Sequence, residues 1–529
     1  MAGRLAVDFG TSNTVLALWD PARQEGLPLR LSEYSRSYQQ DGSPVYVIPS
    51  LIHYAEDDRR WIGSQVIQRG LYQSQRTFRW MKRYISSRSP IRVRLNGREI
   101  TPYQAGEDFL STLLLFAGEE TGANQEEVAF SVPVEAYEHY ENWLVKVAEN
   151  AAMPRFRLID EPSAAALGYG AHIQPGNAYL IFDFGGGTLH AAVVLMEAEA
   201  SQDGGRRCRV LGKAGRTIGG TSIDQWLYMD FLKRNNRLES DEEIRRFSNL
   251  LLVECERVKE SLSFQESADL NLINPDSGEM LSAAYTRSSF EEILDQHDLY
   301  AGINHTVRGA INAARERGYN EESIQAVLMV GGSSQIPSVQ RALRQYFGKE
   351  RVFFNRPLDA IARGAAAFVA GVDFFDHIQH TYAIRYINPQ KGTYDYHPIV
   401  PSGTRYPTTQ PVSRLTIKAS YDGQNQLGLA IYEMSHNAAP NKPEMELVFD
   451  PTGAARVIQL SPHEQEQRSL YWMNESSPTF LSADPPARQG EARFEVEFNI
   501  DANKRLTITS RDLSTGTLTH KDFPVVRLV

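Results

Sequence analysis

The sequence predicts an α/β domain built from two duplicated lobes, followed by an all-β sandwich domain. Three observations carry the prediction. The stretch VDFGTSNTVLALW begins an Asp-Phe-Gly at Asp8, and FDFGGGTLHAAVVL begins another at Asp183, a separation of 183 − 8 = 175 residues. Two equivalent strand-turn-strand units at that distance indicate a duplicated architecture. Strand and helix patterns alternate over the first two thirds of the chain, and from about residue 377 the pattern changes to short strands between Gly, Pro and Asn turns.

In chain order, residues 5–20 read as strand, tight turn, strand, and 109–121 as a helix. A strand follows at 128–134, then an amphipathic helix from Glu135 to Met153, entered just after Pro133. Residues 179–197 repeat the strand-turn-strand pattern, and 240–263 form a long helix with a capping-type start from Ser240 to Glu243. The apolar strand 326–332 runs into a helix beginning near Ile336. Eight alternating segments from TYAIRY at 381 to RLTITSRD ending at 512 make up the β domain, and 435–492, with NAAPNKP, NESSP and SADPPARQG, is rich in Pro. The division is 1–371 for the two-lobed domain, with lobe I about 1–178 plus 359–371 and lobe II about 179–358. A linker at 372–376 and a β domain at 377–529 complete it.

Composition narrows the function. The 529 residues carry a net charge of −10 and are 42% hydrophobic, so nucleic acid is not the expected partner. The local exception, 76–98, carries eight Lys/Arg without an acidic residue and reads as a solvated face beside a polyphosphate pocket. No secretory leader pattern and no run of 18 apolar residues occurs, so the expected location is cytoplasmic, with no membrane partner. Cys208 and Cys255 are too few for a disulfide framework or a zinc site.

The two turns are suited to anions. In DFGTSN, Gly10 lets the chain bend while Thr11, Ser12 and Asn13 offer amides and hydroxyls; in DFGGGT, Gly185, Gly186 and Gly187 remove every β-carbon that would hold a phosphate away from Thr188 and the backbone. Facing each other, they form a clamp for a polyphosphate, and Asp8 and Asp183 can orient the water shell of a Mg²⁺ that neutralises it. No G-x-x-x-x-G-K-[ST], no G-x-G-x-x-G after the first strand and no G-x-S-x-G is present, which excludes P-loop, dinucleotide and serine-hydrolase sites.

These motifs resemble those of the actin-like ATPases and, within them, the DnaK-type or seventy-kilodalton heat-shock chaperones. DFGTSNTVLAL and DFGGGTLHAAVV are similar to the two phosphate motifs, IDEPSAAALGYG to the connecting motif, and VLMVGGSSQIPSVQRAL to the adenosine motif. FEVEFNIDANKRLTITSRDLSTG is similar to the last strands of the peptide-binding β domain. The resemblance implies an actin-like ATPase domain with ribonuclease H-like duplicated subdomains that binds ATP or ADP with Mg²⁺. Asp8 and Asp183 would hold the metal through waters, Lys82, Glu161 and Asp183 would serve hydrolysis, and Glu256, Lys259 and Ser263 would contact the nucleoside. Gly219 and Gly220, and Gly331, Gly332 and Ser333, would line the remaining nucleotide contacts. It further implies extended polypeptide as ligand and a J-domain co-chaperone and a nucleotide-exchange factor as partners, while the sequence ends at Val529 just after the last expected strand, so the family's helical lid is expected to be absent.

Departures from the family pattern mark the points of interest. His190 stands where an aspartate is usual, on the same strand face as Thr188, so it is carried as a nucleotide-site residue. It is either a cation that donates to phosphate or a ring that fills its slot and bonds a neighbour. Glu141 reverses the charge of an interdomain arginine, Gln335 replaces an arginine and Leu358 an aspartate. The expected function is a slow Mg-dependent ATPase that couples nucleotide state to polypeptide binding. The alternative is an ATP-stabilised scaffold or co-chaperone with little turnover.

Overall fold

The computed structural model describes all residues except 1–2, 41–42, 125, 134–137, 154, 171–173, 197–207, 275–277, 372–377, 379, 388–392, 405, 407, 435–444, 450–454, 460–469, 475–477, 502–504 and 529. The expected linker at 372–376 and the expected helix start at Glu135 therefore lie outside the described residues. The chain forms two compact units, one of residues 1–134, 142–375 and 445–459, the other of 135–141, 376–444 and 460–529.

In the first unit a seven-stranded sheet runs in the order Arg155–Asp160, Glu127–Val132, Leu5–Phe9, Asn13–Asp20, Ser43–Pro49, Arg36–Gln40, with Glu25–Pro28 beside Asn13–Asp20. A five-stranded sheet runs Cys208–Arg216, Leu189–Met196, Ala178–Phe184, Ile324–Val330, Val352–Phe353. The duplication is explicit in the pairing. Leu5–Phe9 has an antiparallel hairpin partner, Asn13–Asp20, on one side and a parallel strand on the other. Ala178–Phe184 has the same arrangement with Leu189–Met196 and Ile324–Val330. Each hairpin turn carries one of the two Asp-Phe-Gly motifs.

Period-two alternation divides the second hairpin between two cores. Leu180, Phe182, Phe184, Leu189, Ala191 and Val193 enter one cluster with the long helices of lobe II. Tyr179, Ile181, Val194 and Met196 enter the other, with Ala164–Leu167 and Ala360–Ala362. That second cluster is closed by two helices, Glu161–Tyr169 and Ala360–Val369, that touch through glycine: a β-carbon on Gly364 would lie 1.7 Å from the Ala164 carbonyl oxygen. The fit places the start of Glu161–Tyr169 against the sheet.

Several elements differ from expectation in ways the local chemistry explains. The helix read from 109 spans Pro102–Thr121, because Thr101 and Gln104 form a capping box ahead of Pro102. The long helix runs Glu242–Phe264 with Asp241, not Ser240, at its N-cap and no side-chain cap bond, and it bends at Phe247.

The second unit is a β sandwich. One sheet runs Tyr394–Val400, Thr381–Ile387, Ile431–Met434, Leu470–Trp472; the other runs Ser413–Lys418, Ala492–Ile500, Arg505–Asp512, Leu518–Arg527. Inward residues of both, among them Tyr382, Ile399, Phe494, Val496, Phe498 and Ile508, form one core. The Pro-rich stretch contains a strand that the sequence reading left out, Thr479–Ala487, paired with Gln424–Leu429. The register jumps from Gln424↔Ala487 to Gln426↔Ser482, so Pro485 and Pro486 sit in a bulge where no ladder donor is required. Among the described residues no helix is long and apolar enough to cross a membrane.

Candidate functional site

The two Asp-Phe-Gly turns face each other inside the first unit. A β-carbon on Gly186 would meet Ser12 Oγ at 2.7 Å, and one on Gly187 would meet Thr11 Oγ1 at 2.7 Å. Both turns are held by neighbours. The first receives Ser50, whose hydroxyl donates to the Gly10 carbonyl at 2.8 Å and whose amide donates to the Ser12 carbonyl at 2.9 Å. The second accepts at Gly185 from the Gly220 amide (3.0 Å) and Ser333 Oγ (2.9 Å), and at Gly186 from the Thr221 amide (2.8 Å). Gly331, at φ +84°, passes so close that a β-carbon would lie 2.3 Å from the Phe184 carbonyl oxygen.

A cleft of about 230 Å³ opens between the turns. It is walled by Gly10, Thr11, Ser12, Asn13, Gly185, Gly186, Gly187, Thr188, Gly220, Gly331, Gly332 and Ser333, with Asp8, Lys82, Glu161 and Asp183 at one end and Glu256, Lys259 and Ser263 at the other. Two expected residues do not reach its surface. Gly219 lies behind the second turn, where a β-carbon would be 2.4 Å from the Gly186 carbonyl oxygen, and His190 lies beneath the floor at 1% exposure.

The charged end is buried. Lys82, on the short helix Met81–Ser86, forms an ion pair with Glu161 at the start of Glu161–Tyr169, and both are buried. Asp160 caps that helix by accepting from the Ser163 amide at 3.0 Å, and Lys213 reaches it at 3.3 Å. Asp8 accepts from Ser131 Oγ at 2.7 Å. Burial pushes the Asp8 carboxyl up to about 6, with Lys82 pulling the other way and Glu161 adding to the rise. The Asp183 carboxyl is also held well above the usual carboxylate range, by burial first and then by Glu161 and Asp8. Three carboxylates thus share one ammonium, an under-neutralised oxygen-donor set whose chemistry fits a divalent cation.

His190 is directly opposite Asp183 in the hairpin, so the two side chains share a face. Both ring nitrogens are buried and have no hydrogen-bond partner among the described residues. Burial pushes the imidazole down to about 4, against the pull of Glu161. Among the described residues the expected bond to a neighbour is not formed, and burial disfavours the cationic form of the ring.

At the other end the polar stripe on Glu242–Phe264 already has protein partners. Lys259 forms an ion pair with Asp224, its ammonium 2.8 Å from Oδ1 and donating to Oδ2 at 3.0 Å, and it donates to the Gly220 carbonyl at 3.2 Å. Glu256 accepts a short bond from Tyr72, and Ser263 donates to the Lys259 carbonyl at 3.3 Å. Burial pushes Asp224 up to about 7 even with Lys259 opposing it. Gln335 and Leu358 also line the cleft, beside Tyr38, Glu260, Ile336 and Ile361. Ser50, Asp224, Lys213 and Tyr72 carry no local sequence signal, since each acts across a separation that only the fold closes.

Asp224 links the stripe to the glycine turn through Lys259 and Gly220. Asp224→Asn removes the carboxylate charge that offsets the buried Lys259 ammonium, and it is expected to weaken ATP affinity about tenfold while lowering the melting temperature. Isothermal titration beside thermal melting reads both; unchanged affinity would show that Lys259 does not brace the turn.

Comparison with known proteins agrees with this architecture. A family model described as Hsp70 protein matches residues 86–377. The chain is 26% identical over 549 aligned residues to the chaperone protein DnaK of Deinococcus proteolyticus, covering 98% of this chain and 78% of that one. It is 25% identical to a chaperone protein HscA homolog of Shewanella piezotolerans (98% and 77% covered) and 24% identical to the chaperone protein DnaK of Thermotoga neapolitana (97% and 78%). With more than half of its length matched by that model, the chain belongs to the Hsp70 protein family, an ATP-dependent chaperone family whose members bind ATP or ADP with Mg²⁺.

Proposed function

We propose that this chain binds Mg-ATP between its two glycine turns, hydrolyses it slowly, and uses nucleotide state to control polypeptide binding in its β domain. The observation that carries the reading is the apposition of the turns, Gly186 against Ser12 and Gly187 against Thr11, over a buried Lys82–Glu161 pair flanked by Asp8 and Asp183. Amides and hydroxyls of the turns would hold the phosphates. Asp8 and Asp183 would orient the water shell of Mg²⁺, which when bound supplies charge neutralisation for phosphoryl transfer. Lys82 and Glu161 would position the attacking water, the ammonium toward developing negative charge and the carboxylate as acceptor. Glu256, Lys259 and Ser263 would form the nucleoside wall, with Lys259 acting through its hold on Gly220.

In this reading residues 1–371 are the nucleotide-binding domain, with lobe I about 1–178 plus 359–371 and lobe II about 179–358. Residues 372–376 are the linker and 377–529 bind extended polypeptide. The protein works in the cytoplasm with a J-domain co-chaperone and an exchange factor. A second reading, an ATP-stabilised scaffold with little turnover, draws on His190, a neutral ring beside the reacting end.

Coupling is tested by the release rate of a fluorescent extended peptide from the full chain. Release is expected to be about tenfold faster in ATP than in ADP; equal rates would leave a nucleotide clamp with no grip on its β domain.

A further inference from the structure

The buried end of the cleft holds one donor that an oxygen-only Mg²⁺ site does not use. His190, Asp183 and Glu161 each place one potential ligand atom so that all three lie within 4.8 Å of one another, and all three residues are buried. The strand register makes this a built feature: Asp183 and His190 are cross-strand partners on the face covered by Glu161–Tyr169, whose first residue is Glu161. Lys82 pairs with one oxygen of Glu161, leaving the other for a second partner. Among the described residues neither nitrogen of His190 has a hydrogen-bond partner, although the residue is 1% exposed. A buried imidazole without a partner is costly, and with a ring nitrogen within 4.8 Å of oxygens of two carboxylates a cation could satisfy it.

We propose that His190, Asp183 and Glu161 form an inner-sphere site for a divalent first-row transition metal, Mn²⁺, Co²⁺ or Zn²⁺, in the reacting end of this clamp. Donor atoms sharing one ion sit about 3–4 Å apart when each bond is about 2.1 Å, so small rotations of three side chains suffice. Magnesium sheds water reluctantly and takes oxygen donors, whereas imidazole suits the later first-row metals. The replacement of an aspartate-type position by His190 therefore changes which metal is held, and it brings the ion into direct contact with protein ligands. The metal's role in phosphoryl transfer rests on the proposed function, but its binding does not.

The test uses the full chain without nucleotide and the metal alone. Mn²⁺ is expected to bind at one site per chain, with nitrogen hyperfine coupling in pulsed electron paramagnetic resonance. His190→Asp is expected to abolish that coupling and to shift the Mn²⁺ to Mg²⁺ affinity ratio by about tenfold or more toward Mg²⁺, and His190→Gln to weaken Mn²⁺ by about 10–100-fold. Absence of nitrogen coupling in the wild type, or coupling that persists in His190→Asp, overturns the site, and the wild-type spectrum decides even if a variant fails to fold. ATP affinity measured on the same samples separates the two ideas: ATP bound without nitrogen coupling removes only this site, while no ATP binding removes the clamp.

Discussion

Lys82→Ala is expected to slow single-turnover ATP hydrolysis by about 100-fold or more while leaving ATP affinity within about threefold. Groups that stabilise charge only as the transition state forms show this signature, and removing one such donor costs about 10²–10³ in rate. Lys82 is buried among Asp8, Glu161 and Asp183, and its ammonium opposes the upward push on both aspartates. Bound phosphates, by contrast, have many other donors in the two turns, which is why affinity should survive. Without the lysine the three carboxylates repel one another, so the nucleotide-free variant should also melt lower than wild type and gain more from Mg²⁺ than wild type does. Unchanged hydrolysis in Lys82→Ala would remove Lys82 from the reaction and favour the scaffold reading.

Gly186→Val is expected to weaken ATP binding by about 100-fold or more without unfolding the chain. The first added carbon meets Ser12 Oγ at 2.7 Å and Thr11 Cβ at 3.3 Å, and the valine methyls would extend into the space where phosphates lie. The nearest atom is a hydroxyl at the end of a short side chain, which can swing away. The cost should therefore fall on closure of the turns rather than on either core. Equilibrium titration with a fluorescent ATP analogue, beside a thermal melt, separates affinity from stability. Wild-type affinity in Gly186→Val would mean that the phosphates do not pass between the turns.

The duplicated fold is legible because its signals are local. An apolar strand, an aspartate and a glycine turn recur in both motifs, and alternation alone puts His190 on the Thr188 face, while its place opposite Asp183 needs the strand register. The same local signals explain the losses. Leu518–Arg527 was not read as a strand because LTHKDFPVVR carries charges and a proline, features suited to the edge position it occupies. Thr479–Ala487 was lost to its prolines, which a bulge accommodates. Pro102 hid the true start of a helix that the Thr101–Gln104 capping box opens.

At the site, the turns and the two aspartates are readable as an anion clamp, and family resemblance supplies Lys82, Glu161 and the nucleoside wall. What holds them is not readable. Ser50 reaches the first turn from 40 residues beyond Gly10, and Lys259 meets Asp224 across 35 residues. A serine or a lysine at such distances looks like any other until the chain is folded. The identity of His190 is plain in the sequence, yet the lack of any partner for its ring is a property of packing alone.

The central claim is that this cleft turns over ATP. Its most direct test is single-turnover phosphate release from the wild-type chain loaded with stoichiometric ATP and Mg²⁺, or Mn²⁺ if His190 selects it. The expected result is a slow single-exponential release that is complete on all bound nucleotide and is lost in Lys82→Ala. Tight ATP binding with no phosphate release above background, under either metal, would contradict it.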